Sequence, residues 1–173
     1  KHISESIKSK IALFCNVEKT SVIECIDADS IYDVPILMME EGLDKEVLRK
    51  TNTPISEKVD IENWKEFLHR LHNPKHEITV ALVGKYVELK DAYKSISEAF
   101  IHAGAATQCK VKIKWIHSEK LEDNPDCIQE ELQGLNGILV APGFGSRGKE
   151  KKIMAVRYAR ENKIPFLGIC LGM

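Results

Sequence analysis

The chain has 173 residues, is 43% hydrophobic and carries a formal net charge of -1 at pH 7, enough apolar content to bury the core of one domain or parts of two. Acids and bases are interspersed, which excludes an extended nucleic-acid footprint, because phosphate neutralisation needs clustered Lys and Arg. Cys15, Cys25, Cys109, Cys127 and Cys170 are odd in number and lack CxxC or Cys/His zinc spacing, so neither a disulfide framework nor a zinc site is indicated.

A reducing, cytoplasmic home is expected. No apolar run approaches the roughly 18 residues of a membrane span, and none reads as a leader. The chain opens without Met in "KHISESIKSK", and a piece of a longer protein is expected. "KIALFCNV" and "TSVIECI" read as two short strands. The polar stretch "RKTNTPISEKVD", containing Pro54, reads as a linker. "DIENWKEFLHRLH" places Ile61, Trp64, Leu68 and Leu71 on one helical face behind Asp60 as a cap, a helix expected to bridge two domains.

From residue 77 onward strands and helices alternate. "ITVALVG" is a continuous β-rich run of the kind buried on both sheet faces. "DAYKSISEAFIHAG" has apolar residues at helical spacing, with Asp91 as N-cap and Gly104 as C-terminal stop. "KVKIKWIHS" reads as the next strand, "PDCIQEELQGL" as a helix burying Ile128, Leu132 and Leu135, "GILVAPG" as a strand, "KKIMAVRYAREN" as a helix and "IPFLGIC" as the last strand. Four strands separated by three helices predict right-handed crossovers, a parallel sheet, and active groups beyond the C-terminal strand ends. The domains expected are residues 1–52, a linker and helix at 53–76, and an α/β domain from 77 to 173.

The last strand ends in Gly168-Ile169-Cys170-Leu171-Gly172, a G-x-C-x-G form of the nucleophile elbow. Glycines leave room for a strained turn that thrusts the sulfur out at the top of the sheet. A helix starting after Cys170 would favour thiolate, and the Leu171 N–H would supply half of an oxyanion hole. In "APGFGSRGKE" the N–H of Gly143 is the second donor, since Pro142 has none. A thiolate needs a base, normally a histidine held by a carboxylate. None of His2, His69, His72, His76, His102 and His117 reads as lying at a parallel-strand end, so the partners are expected after Met173.

"GICLGM", "APGFGSRG" and the spacing between them resemble a class I glutamine amidotransferase domain, in which the cysteine attacks the side-chain amide of glutamine and releases ammonia. "KIALFCNVEKTSVIECIDADSIYDVP", "LVGKYVELKDAYKSISEAFIHAG", "VAPGFGSRG" and "ARENKIPFLGICLGM", in that order, resemble the CTP synthase family over nearly the whole chain. The resemblance implies a flavodoxin-like glutaminase half preceded by the end of a P-loop-type α/β synthetase domain. It implies formation of CTP from UTP, ATP and glutamine, with Mg2+ and GTP activation, in a cytoplasmic homotetramer without nucleic-acid or membrane partners.

By resemblance, Cys170 is the nucleophile, and Gly143 and Leu171 bind glutamine and its oxyanion. Lys10 would bind UTP or CTP, Ala28 would lie against the adenine of ATP, and Phe144 is the candidate to stack on GTP. The family usually has Gly at Pro142 and at Lys151. The phosphate loop, the magnesium carboxylates and the triad His and Glu match nothing in this chain. The alternatives are another cysteine-elbow amidotransferase, a γ-glutamyl hydrolase, or a non-catalytic binding module; the first seventy residues disfavour the first two.

Overall fold

The computed structural model describes residues 2–55, 59–119, 125–143, 145 and 148–173, and the chain divides into two compact units, Lys1–Leu68 and His69–Met173. In the first, the helices are α1 (Glu5–Cys15), α2 (Val34–Glu40), α3 (Leu43–Lys50) and α4 (Glu62–His72), with the division falling inside α4.

The two strands expected here do not form among the described residues. "KIALF" is the second half of α1, whose first turn is fixed by Ser4: its side chain accepts from the Ile7 N–H, satisfying one of the orphan donors of a helix start. Residues 22–26 follow a single 3-10 turn at Lys19–Ser21 and have no sheet partner among the described residues. The Asp60 carboxylate accepts from the Glu62 N–H at 3.2 Å, the capping role expected of it. α4 packs through aromatics: the Trp64 indole donates to the Tyr32 carbonyl at 3.0 Å. Tyr32 and Trp64 each lie 5.3 Å, centroid to centroid, from Phe67. Such ring pairs are worth about 1 kcal/mol each beyond their burial.

The second unit is a parallel sheet. Strands β1 (His76–Gly84), β2 (Cys109–His117), β3 (Gly137–Val140) and β4 (Phe166–Gly168) lie in the order β2-β1-β3-β4, joined through α5 (Lys94–Thr107), α6 (Pro125–Leu132) and α7 (Lys149–Glu161). Strand alternation separates two cores. Ala81, Val83, Ile138 and Val140 face Ile128 and Leu132 of α6 and Ala155 and Ala159 of α7. Leu82, Leu139 and Ala141 face Ile96 and Phe100 of α5. Both faces are therefore covered, which is why these strands read as unbroken apolar runs; each fully buried Leu, Ile or Val contributes about 2 kcal/mol.

Two helix boundaries differ from the expectation. Asp91 sits in a 3-10 turn, Lys90–Tyr93, ahead of α5. Gly104 lies inside α5, which runs on until Gln108 takes a left-handed φ of 54°. Gly104 is there for packing: a side-chain methyl would run into the Cys109 carbonyl at the start of β2.

Candidate active site at the strand ends

In the sheet order found here the direction of winding reverses between β1 and β3, and open α/β sheets bind ligands at such a switch point, outside the C-terminal strand ends. Three neighbouring strand ends converge on it: Gly84-Lys85 after β1, Ala141 to Gly143 after β3, and Cys170 after β4. Val140 and Ala141 tie them together. The Ala141 N–H donates to the Val83 carbonyl at 2.9 Å, and the Val140 carbonyl accepts from the Ile169 N–H at 3.1 Å.

Cys170 has φ 55°, a left-handed conformation that costs a residue with a Cβ roughly 1–2 kcal/mol. The flanking glycines leave no alternative residue. A methyl at Gly168 would collide with the Gly172 carbonyl, and one at Gly172 with the Val140 carbonyl. Strand, turn and glycine contacts together hold the thiol exposed. The helix expected after the cysteine is, within this chain, one 3-10 turn over Cys170–Gly172. Its first amides have no intrahelical carbonyl partner, so the Leu171 N–H is available to an oxyanion.

Gly143 follows two residues after Ala141 and has φ 156°. Under its loop lie two buried lysines that sequence reasoning missed. Lys152 of α7 is 5% exposed and donates from Nζ to the Ala141 carbonyl at 2.8 Å; a methyl on Gly143 would stand 3.6 Å from that nitrogen. Lys85 is 8% exposed, and its Nζ would stand 3.6 Å from a methyl on Gly145. Burial pushes the Lys152 ammonium below the usual lysine range, the Lys85 charge adds to this, and charge on Cys170 opposes it. The sequence did hold a signal for Lys152: it falls on the same helical stripe as the buried Ala155 and Ala159.

Tyr93 closes the β1 side. Its hydroxyl accepts from the Lys85 and Tyr86 N–H groups at 3.1 and 3.3 Å, and Gly84 is a glycine because a methyl there would meet the Tyr93 ring within 3 Å. Contrary to the sequence reading, one histidine does end a parallel strand: His117 closes β2. It stands three strands from β4, about 14 Å at the usual interstrand spacing, and its Nδ1 accepts from the Glu119 N–H at 3.1 Å.

In the first unit, Ala28 lines a cavity of about 340 Å³ with Asp27, Asp29, Asp33, Glu40 and Leu68. Lys10 is on the exposed side of α1, not on a strand, and does not line that cavity. Phe144 lies outside the described residues.

The second unit agrees with what its sequence matches: the family model "Glutamine amidotransferase class-I" covers residues 88–173. A solved Trypanosoma brucei structure described as "CTPS - glutaminase domain with bound acivicin" aligns with a TM-score of 0.52 at 41% identity, over 56% of this chain and 37% of that one. The fold and the elbow thus define a class I glutamine amidotransferase module.

Residues 1–53 match a second family model, "CTP synthase N-terminus". The CTP synthase of Flavobacterium psychrophilum is 60% identical over 171 residues, 99% of this chain and 32% of that protein. That of Cytophaga hutchinsonii is 62% identical over 167 residues, 96% of this chain and 31% of that protein. The chain belongs to the CTP synthase family. It spans about a third of the length of these relatives.

Proposed function

We propose that the full-length protein forms CTP by aminating UTP at the expense of ATP, with ammonia cut from glutamine at Cys170. The observation that carries this reading is the left-handed Cys170 between two sterically required glycines, next to the Gly143 loop. The sulfur attacks the side-chain amide carbon of glutamine, and the carbonyl electron pair moves to oxygen, where the Leu171 and Gly143 N–H groups receive it. Collapse expels nitrogen, which takes a proton and leaves as ammonia. Water then hydrolyses the thioester to glutamate and returns the thiol. Ammonia attacks C4 of the uracil after ATP has phosphorylated the 4-oxygen, and phosphate leaves.

Lys10 binds the UTP or CTP phosphates as a point charge, and Ala28 with its cavity takes the adenine of ATP. Phe144 stacks on the activator GTP. The working form is a cytoplasmic homotetramer, built on a synthetase segment at 1–52, a linker at 53–76 and a glutaminase segment at 77–173. Mg2+ does not fit the described residues. A cluster of His2, Glu24 and Glu41 could hold an ion by distance, but the Lys8 ammonium already occupies it, 3.2 Å from each carboxylate.

Among the described residues, no helix is long and apolar enough to cross a membrane. A γ-glutamyl hydrolase or another amidotransferase is disfavoured by the match of residues 1–53.

Acivicin labelling tests the site. In the full-length protein Cys170 is expected to be modified ahead of the other four cysteines, and Cys170→Ala to lose glutamine-driven CTP formation while keeping ammonia-driven formation. Equal labelling of all five thiols, or loss of both activities in Cys170→Ala, rejects the assignment.

A further inference from the structure

The 141–143 segment is gripped from both sides of one residue. The Ala141 N–H is fixed to β1 through the Val83 carbonyl at 2.9 Å, and its carbonyl is fixed to α7 through Lys152 Nζ at 2.8 Å. Pro142 follows directly and limits rotation at the next bond, so the orientation of Ala141 is handed on to Gly143. Lys152 is buried with no carboxylate partner among the described residues, a costly arrangement for an ammonium; it donates to a carbonyl and feels the charges of Lys85 and Cys170. Lys152 lines a cavity of about 150 Å³ with Leu171 and Gly172, the residues directly after Cys170, and a buried cation so close to a nucleophile has the physical signature of a functional group.

We propose that Lys152 is a positioning residue of the glutaminase half-reaction: it aims the Gly143 N–H by holding the Ala141 carbonyl, and its charge stabilises negative charge at Cys170. This rests on the glutaminase reading above. The charge acts in a water-poor setting, where it is worth more than at the surface. The effect falls on kcat and not on KM for glutamine, because Lys152 acts on the thiolate and on the oxyanion that it forms, whereas glutamine itself binds uncharged at its amide.

The test compares wild type, Lys152→Met and Lys152→Gln in the full-length protein. Lys152→Met keeps the stem and removes charge and donor; Lys152→Gln keeps a donor without the charge. The expected result for Met is a fall of about tenfold or more in kcat with glutamine, the loss of one charge-assisted hydrogen bond, with KM for glutamine within twofold. Alkylation of Cys170 by iodoacetamide at fixed neutral pH slows in both variants. Ammonia-driven CTP formation, which bypasses the thiol, stays within twofold, and Gln falls between wild type and Met in kcat.

Unchanged kcat and alkylation in Met overturn the role of Lys152 while leaving Cys170 as nucleophile. A parallel fall in ammonia-driven activity in both variants also overturns it, since that marks general damage to the fold. A wild type that neither consumes glutamine nor is alkylated at Cys170 overturns the underlying reading and this proposal with it.

Discussion

Cys170 carries its strain in one torsion. At φ 55° its Cβ crowds the backbone, a cost a glycine would not bear. Cys170→Gly is therefore expected to stabilise the fold by about 1 kcal/mol net of the entropy glycine adds to the unfolded chain, whereas Cys170→Ala keeps the Cβ and leaves stability nearly unchanged. Equilibrium unfolding of both variants measures this. Equal stability of the two would mean the turn relaxes without strain. The elbow was legible in the sequence because two glycines bracketing one cysteine at a strand end have a steric meaning, and the structure supplies it: each glycine faces a carbonyl oxygen that a methyl would strike. Lys152 was legible only as a member of the buried stripe with Ala155 and Ala159; its role was not, because a lysine in a helix rich in Lys and Arg looks solvated until its partner, the Ala141 carbonyl, is seen.

At the scale of elements, the alternating half and the helix behind Asp60 were readable and the two strands expected in the first unit were not, for one physical reason. A run such as "ITVALVG" has no polar face to offer solvent, so only a strand covered on both sides satisfies it, and the Leu82 and Val83 side chains go to opposite cores. "KIALF" is equally apolar but is preceded by a capping serine; the local start signal at Ser4 outweighs the β-like composition. Charge then secures this unit. Glu46 of α3 accepts from the Arg49 guanidinium at 2.8 and 2.9 Å and from the Ser21 hydroxyl, and these donors, Arg49 first, hold its carboxyl down from the ordinary 4.5 to about 2. A depressed carboxylate stabilises the fold above its unfolded value and loses that contribution as pH falls through the folded one. Stability contributed by this contact should thus be complete above pH 4.5 and decline toward pH 2. Thermal melts across that window in wild type and Glu46→Gln check it: the variant should show a shallower decline, and identical slopes would reject the linkage.

For the whole molecule, the proposed function brings together two chemistries that can be uncoupled by nitrogen source. Sheet order places the strand ends carrying Lys85, Gly143 and Cys170 side by side, and in the proposed function Gly143 and Cys170 serve the release of ammonia. In that function Lys10, on the exposed side of α1 in the other unit, serves the nucleotide. Losing one charge-assisted contact to a phosphate costs about 1.5–3 kcal/mol, roughly tenfold to a hundredfold in binding. Lys10→Ala is therefore expected to raise KM for UTP at least tenfold with either glutamine or ammonia as nitrogen source, and saturating UTP should restore most of the rate. Cys170→Ala, by contrast, responds to ammonia and not to UTP. The measurement is CTP formation over a UTP titration with each nitrogen source. A Lys10→Ala defect confined to glutamine would move Lys10 out of the nucleotide site, and an unchanged KM would make it an ordinary solvated lysine of α1.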